Sequence, residues 1–338
     1  MVGNAWPLVS IVFLAYNRRE QLAYSLTQVL EHLDYPSECL EVIVVDNASV
    51  DGTAEMLAQR FPGVRVIRSL ENVGMSAWNE GMAAAAGEWR LALDDDCYLD
   101  GDGLKTAVRS AEEHGADLVS FRVASSEMPG FFFNDQYDTG LLAYWGCSAL
   151  FSRRAIEAEP FYDPNIFIWG NEMELTMRLL NRGFRHLHLP EVTSVHMKGP
   201  SVGFDPRGFR LNHRHFAYIA AKLMQPGDAV AALGNVALHV VGGAVVGDRR
   251  KLCALGEIVR GARSGLGVRA PVRPAVSRVY RRHAWHFASP IAQLRIPRER
   301  RSARAAPNHV AASSHWRNTR WFARRRRYYP TSSAVLEL

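Results

Sequence analysis

Short apolar segments alternate with helical patterns through the first hundred residues, and this alternation most constrains the fold. The apolar segments are unbroken, as expected of strands covered on both faces, and comprise residues 9–14, 41–45, 64–67 and 89–93. The segments between them have apolar residues at helical spacing and comprise residues 20–32, 51–60 and 75–86. Strict alternation of strand and helix predicts an α/β fold with a mostly parallel sheet flanked by helices.

The pattern of the 338-residue chain changes after residue 199 and predicts three regions. Residues 1–200 continue the α/β pattern and form the first. Residues 201–295 contain long helical segments and form a second, helical region. Residues 296–338 are rich in Arg, Ser and Ala without periodicity, which predicts a basic, flexible tail.

Charge is concentrated at the C-terminus. From Arg298 onward the chain has ten arginines against two glutamates, whereas residues 1–297 have 30 basic and 32 acidic side chains. The predicted body is therefore near neutral, and partner arguments from charge concern the tail. The four cysteines are scattered, which argues against a disulfide framework or a zinc site and favours a reducing, cytoplasmic location.

Polar residues follow each predicted strand of the first hundred residues. In an open parallel sheet, ligands bind beyond these carboxyl ends. The polar segments are 15–18, 46–49, 72–74 and 94–96. None is a glycine-rich phosphate loop, so neither a dinucleotide fingerprint nor a P-loop is present.

Three consecutive carboxylates, Asp94, Asp95 and Asp96, end the fourth predicted strand. A divalent cation such as Mg²⁺ or Mn²⁺ would relieve their repulsion and hold a diphosphate. A solvated acidic turn is the alternative. His196 also ends a predicted strand and is either a metal ligand or an ordinary polar residue.

Two further carboxylates have two interpretations each. Asp46 ends an apolar strand and either accepts a hydrogen bond from a pyrimidine N3–H or caps the following turn. Glu172 lies where a loop enters a helix and is either a general base or part of an acidic first turn that complements the helix dipole. Trp145, Trp169 and the three phenylalanines at 131–133 either stack on sugar rings or fill the core, and we expect segment 125–144 to form a loop over the site.

Together these motifs resemble the family 2 glycosyltransferases, including rhamnosyltransferase-like members, which have the Rossmann-like GT-A fold. The resemblance covers about residues 8–200. It is carried by five motifs in order, at 9–18, 44–53, 71–81, 93–96 and 170–178. Their shared order strengthens each interpretation.

The resemblance implies a role for each candidate residue. Donor-binding residues would be Ala15, Tyr16, Arg18, Asp46, Asn72, Asp94 and Asp95. Asp96, with His196, would hold Mn²⁺ or Mg²⁺, and Glu172 would be the catalytic base. The sequence departs from the common Glu-Asp pattern, because Asn171 precedes Glu172, and Glu174 is a second candidate base.

By the same resemblance, the enzyme would transfer a sugar from a UDP or dTDP donor to an acceptor hydroxyl with inversion. The acceptor would be a cell-envelope glycan or glycolipid, or a small-molecule natural product. Two alternatives remain: a sugar nucleotidyltransferase, which the missing N-terminal glycine loop disfavours, and a non-catalytic scaffold that binds nucleotide sugars.

Two segments suggest contact with a membrane. Arginines alternate with aromatic residues at 315–329, a pattern that suits an anionic membrane surface at the inner face, nonspecific nucleic acid, or a solvated tail. The longest uncharged run, 229–246, is marginal in length for a span, and a buried or membrane-surface helix is expected there.

Overall fold

The computed structural model describes residues 6–99, 101–133, 140–198, 205–245, 249–284 and 333–338, which fall into two compact units. The first unit comprises Met1–Phe167, Asn171–Pro200 and Tyr329–Glu337. The second comprises Ile168–Gly170, Ser201–Tyr328 and Leu338.

A single mixed sheet organises the first unit. Its strands are β1 (Val9–Ala15), β2 (Leu40–Asp46), β3 (Arg65–Arg68), β4 (Trp89–Asp94), β5 (Cys97–Leu99), β6 (Leu118–Ser125), β7 (Ser148–Ser152), β8 (His186–His196) and β9 (Ala334–Leu336). Their order is β3-β2-β1-β4-β7-β6-β8-β5, and β9 pairs with β8. The first four strands are parallel, as predicted, while β7 runs antiparallel to β4 and β6.

Helices cover both faces of this sheet. In the first unit they are α1 (Arg19–Thr27), α2 (Thr53–Arg60), α3 (Trp78–Ala84), α4 (Gly103–His114), α5 (Arg153–Ala158) and α6 (Asn171–Asn181). One core cluster forms around Ile11, Phe13 and Leu91, and another around Val12, Ile43 and Trp78. Alternate residues of β1 thus enter opposite layers, which confirms the predicted α/β fold with helices on both sides.

Two predictions about irregular segments need correction. Phe131 and Phe133 are buried in the core, at 8% and 3% exposure, rather than forming a loop over a site. Burying two aromatic rings outweighs the lack of regular backbone structure around them. The tail was predicted to be flexible throughout, but it contains strand β9. The backbone of β9 pairs with β8, starting at His186↔Leu336. Tail residues 296–332, including the 315–329 pattern, lie outside the described residues.

The second unit is helical. Its helices are α7 (Pro206–Leu223), α8 (Pro226–Val245), α9 (Leu255–Gly267) and α10 (Pro274–Val279). Helix α9 packs closely on α7, since a Cβ atom at Gly261 or Gly265 would collide with the backbone carbonyl of Arg214 or Tyr218. Within the predicted helical region, Arg249–Ala254 forms a 3₁₀ helix that ends where α9 begins.

Candidate active site

The carboxyl ends of β1, β2 and β4 lie side by side at one edge of the sheet. The parallel register pairs Ala15 with Asp46 and Leu14 with Asp94, so three of the four predicted polar segments meet there. The first two loops are joined by further bonds: the amide of Asn17 donates to Ser49 Oγ, and the amide of Val50 donates to Asn17 Oδ1.

The carboxylate triplet is bound to the first loop. Asp95 Oδ2 accepts a hydrogen bond from the Tyr16 amide at 3.0 Å. The Nη1 atom of Arg18 lies 3.1 Å from Asp95 Oδ1 and 2.5 Å from Asp96 Oδ2. One half-exposed guanidinium therefore compensates the charge of two buried carboxylates. Three of the predicted donor-binding residues, Tyr16, Arg18 and Asp95, are thus in direct contact.

Asp94, Asp96 and His196 form a group with metal-ligand spacing. One ligand atom from each lies within 4.8 Å of the others. The antiparallel pairing Cys97↔His196 between β5 and β8 brings the histidine beside Asp96, with Nε2 3.1 Å from Oδ1. The sequence contained both residues but gave no sign of the strand β5 that joins them.

The buried polar atoms of this group fit a divalent cation. Asp96 Oδ1 and His196 Nδ1 are buried and have no hydrogen-bond partner within the part of the chain that the structure describes. An unsatisfied buried carboxylate oxygen costs free energy unless a ligand satisfies it. Two carboxylates and an imidazole form a ligand set that suits a divalent cation.

The electrostatics of the triplet also favour a cation. Burial, and then the charges of Asp96 and Asp95, raise the pKa of Asp94 well above its ordinary value. Burial raises the pKa of Asp95 to about 7, although Arg18 opposes this. Burial also acts on Asp96, but the contact with His196 and the charge of Arg18 outweigh it and lower its pKa. Each of these buried carboxylates therefore disfavours the negative charge of its neighbours, and a bound cation would relieve that repulsion.

Asp46 is the last residue of β2, at the same sheet edge, and is fully buried. Its Oδ1 accepts a hydrogen bond from the Ser49 amide at 2.9 Å, so the predicted cap is formed. Its Oδ2 lies 3.5 Å from Arg68 Nε and has no hydrogen bond from the described residues. The two interpretations are therefore compatible, because one oxygen caps the turn and the other remains able to accept a hydrogen bond.

Asn72 shapes the loop after β3. Its Oδ1 accepts from the Gly74 amide and from Asn47 Nδ2. Gly74 has a φ of +69°, and a side chain there would collide with the backbone and ring of Phe167. Asn47 is a residue that the sequence interpretation missed: its side chain also accepts from the Val73 amide and so links the loops after β2 and β3.

Glu172 lies close to the carboxylate triplet. The Asp94 amide donates to the Cys147 carbonyl, which brings the segment before β7 beside β4. A Cβ atom on the neighbouring Gly146 would collide with the Glu172 carboxylate. The charge of Glu172 also contributes to the raised pKa of Asp94. Gly146 is a second residue that sequence reasoning missed, and an isolated glycine before a strand gave no signal of it.

Glu174 has a different environment. It is fully buried, and both of its oxygens accept hydrogen bonds from Arg178 at 2.8–3.0 Å. The guanidinium also bonds to Glu159 and to the carbonyls of Pro160 and Phe161. This ion pair fixes α6 to the preceding segment.

The two predicted aromatic contacts lie in different units. Trp145 belongs to the first, packs on the core and lies 5.5 Å from Phe133, whose ring is 5.2 Å from that of His196. Trp169 belongs to the second, has 38% of its surface exposed and a φ of +63°, and its ring lies against Gly208.

Comparisons with known proteins agree with this geometry. A family model described as glycosyl transferase family 2 matches residues 10–214. The glycosyltransferase AglE of Haloferax volcanii is 27% identical over 219 residues, covering 61% of this chain and 72% of its own. A Methanococcus voltae relative, named as a diacetamido-dideoxy-glucuronosyltransferase acting on dolichyl N-acetyl-glucosaminyl phosphate, is 20% identical over 57% of this chain and 68% of its own.

Solved structures share the fold. The mannosyltransferase PcManGT of Pyrobaculum calidifontis, in complex with GDP-Man and Mn²⁺, has a TM-score of 0.52 at 20% identity and covers 78% of this chain and 88% of its own. TarS residues 1–349 of S. aureus, in complex with UDP-GlcNAc, has a TM-score of 0.55 at 16% identity and covers 81% and 91%. The fold prediction is therefore confirmed.

Proposed function

The chain belongs to glycosyl transferase family 2 and is a glycosyltransferase, and from that premise we propose that it transfers a sugar from a pyrimidine nucleoside diphosphate, with inversion and with a divalent cation. One observation carries the proposal: the Asp94–Asp96–His196 group lies on the same sheet edge as Asp46 and close to Glu172.

The nucleotide would bind over the ends of β1 and β2. Asp46 Oδ2 would accept a hydrogen bond from the base, and Ala15, Tyr16 and Asn72 would form the walls around it. Only one oxygen of Asp46 is available, since the Ser49 amide occupies the other. A single acceptor suits the single N3–H of uracil or thymine, so UDP and dTDP are the proposed nucleotides.

Asp96 and His196, with Asp94, would hold Mn²⁺ or Mg²⁺ at the diphosphate. When bound, the cation would neutralise charge on the leaving diphosphate. Arg18 and Asp95 would orient the same group, because they already contact each other beside Asp96. Arg18 is half-exposed and adds a positive charge next to the site of the departing phosphates.

Glu172 would act as general base and take the proton of the acceptor hydroxyl as that oxygen attacks the anomeric carbon. The attack would come from the face opposite the diphosphate and invert the configuration in one displacement. Supporting this assignment, Glu174 two residues away is committed to Arg178, whereas Glu172 lies beside Gly146 and the triplet. Trp145, which lies in the same unit as Glu172, is proposed as an acceptor or sugar contact.

The acceptor proposal is a glycan or glycolipid of the cell envelope. The Methanococcus voltae relative carries a lipid-linked acceptor in its name, which supports this class over a soluble natural product. Assembly of such acceptors would place the protein in the cytoplasm at the inner face of the membrane, with the basic tail as one contact to lipid.

Sugar release from a panel of UDP-, dTDP- and GDP-sugars, with and without Mn²⁺, tests the proposal. We expect turnover with one pyrimidine nucleotide sugar, dependent on metal and accelerated by acceptor, and a product with inverted anomeric configuration by NMR. Metal-independent turnover, or retention of configuration, would contradict it. Binding without any turnover would favour the scaffold alternative.

A further inference from the structure

The second unit exposes a large amount of apolar surface. Eight large apolar side chains between residues 230 and 268 are exposed. Four of them lie on α8, with the following exposures: Val230 72%, Leu238 54%, Val241 43% and Val245 77%. Their spacing places them along one side of the helix, over a length of about 22 Å at 1.5 Å per residue.

The opposite side of α8 is packed within the second unit. Ala232, Val236 and Val240 are fully buried. The charged residue near its N-terminus, Asp228, accepts a hydrogen bond from Ser277 Oγ and forms an ion pair with Arg281. The outward side of the described helix Pro226–Val245 therefore has no charged residue.

The part of the sequence that contains this apolar stripe is rich in positive charge. Residues 205–284 contain 14 basic side chains against 4 acidic ones, whereas residues 1–204 contain 15 against 28. The near-neutral balance of residues 1–297 thus combines two regions of opposite charge. On α9, exposed Arg260 and Arg263 lie between exposed Val259 and Leu266, and Arg260 also forms an ion pair with Glu257.

We propose that the outward face of α8, with the arginines of α9, binds the surface of an anionic lipid bilayer. Apolar side chains would enter the interface between headgroups and acyl chains, while guanidinium groups pair with anionic headgroups. A weak apolar contact and a weak electrostatic contact combine into stable attachment where neither suffices alone.

Charge argues against two other occupants of the same face. In a symmetric dimer the same patch meets its own copy, so the arginines of both copies would face each other. The tail segment 285–332 contains eleven arginines and a single acidic residue, and it would be repelled by the same patch. An anionic surface has the charge that complements this face.

The packing of α8 further determines its orientation in the membrane. The helix is long and apolar enough to cross a bilayer, with a mean hydropathy of 1.5. Crossing would remove its buried face from the second unit and expose the Asp228 end to lipid. The helix therefore lies in the plane of the membrane surface.

Sedimentation of the full chain with phosphatidylcholine vesicles, with and without phosphatidylglycerol, tests this proposal. We expect binding to the anionic vesicles alone, weakened by salt. The double variant Leu238→Asp/Val245→Asp changes two exposed positions, so we expect it to fold normally. Its melting temperature checks this. The double variant should bind about tenfold less, because two charges enter the apolar stripe. Leu70→Asp, at a fully exposed position of the first unit, is the matched control and should bind normally.

Three results would overturn the proposal. Unchanged binding of the double variant would assign lipid contact to the tail. If the parent chain does not bind vesicles but is a dimer in light scattering, and the double variant is a monomer, then the face is a protein interface. Resistance of the membrane-bound protein to alkaline carbonate would indicate a spanning helix rather than one in the plane.

Discussion

His196 Nε2 lies 3.1 Å from Asp96 Oδ1 across the pairing of β5 with β8, and both side chains are buried. The contact joins residues one hundred positions apart at the end of the carboxylate triplet. The Asp96 oxygen contacts His196 but has no hydrogen bond from the described residues, which supports the proposed cation as its ligand.

Removing the charge of Asp96 should remove metal binding without unfolding the protein. Asp96→Asn keeps the volume of the side chain, and we expect its Mn²⁺ affinity to fall by at least about tenfold in calorimetric titration, since even indirect support of a ligand contributes that much. His196→Gln should have a smaller effect in the same direction. Asp34→Asn, which changes an exposed carboxylate outside the site, is the control; equal affinity in all three variants would disprove the metal assignment.

The two glutamates at the start of α6 should respond differently to substitution. Glu172→Gln should lower kcat by about 10²–10⁴-fold and leave donor binding unchanged, because only proton transfer is lost. Glu174→Gln should instead destabilise the protein by roughly 2 kcal/mol, since it removes one of the two anionic partners of the buried Arg178 and leaves only Glu159. Denaturant unfolding and single-turnover kinetics of both variants separate the two effects. A catalytic loss in a stable Glu174→Gln enzyme would reverse the assignment.

Gly146→Ala should impair catalysis more than stability. The added methyl group would collide with the Glu172 carboxylate, which is the flexible end of a side chain and can shift away. A displacement of this size costs up to about 10²-fold in rate when the shifted group is catalytic. We expect a lower kcat with an unchanged melting temperature and donor KM. Gly63→Ala is the control, because a side chain there meets open space. An unchanged kcat in Gly146→Ala would show that Glu172 takes no part in the reaction.

A buried histidine should make stability depend on pH. Burial lowers the pKa of His186 to about 3, and the histidine bridges the Leu141 carbonyl and Ser120 Oγ. The unfolded chain titrates near the ordinary value of 6.5, so it binds one more proton than the folded chain between pH 6.5 and about 3. The contribution of His186 to the free energy of unfolding has its full value above pH 6.5. Below that pH it falls by about 1.4 kcal/mol per pH unit, down to about pH 3.

Denaturant unfolding between pH 7 and pH 4 measures this slope. His186→Gln cannot titrate and should show a smaller loss of stability on acidification, whereas His32→Gln, at an exposed position, should retain the slope of the parent chain. An identical slope in the His186 variant would contradict the neutral, buried state of this histidine.

The sequence predicted the parallel half of the sheet well, because each strand there is a continuous apolar run followed by polar residues. It also predicted Asp94, Asp95 and Asp96 at a strand end, where the structure places them. It did not predict β5 or β9, since three-residue strands such as Cys97–Leu99 are too short for a periodic signal and form only through pairing with β8.

Contacts between distant segments account for the remaining differences. Gly146 lies beside Glu172 only because β7 joins the sheet next to β4, and one sequence cannot specify that register. Phe133 was interpreted as part of a loop, but it fills the core next to Trp145 and His196. The change from an acidic to a basic balance within residues 1–297 lies close to the boundary between the two units.

Thermal stabilisation by UDP, dTDP, GDP and ADP, each with and without Mn²⁺, tests the central claim most directly. A ligand that binds only the native state raises the melting temperature. We expect a rise with UDP or dTDP that requires Mn²⁺ and disappears in Asp96→Asn. An equal rise in the absence of metal, or no rise with any nucleotide in folded protein, would contradict a metal-dependent donor site at the ends of β1, β2 and β4.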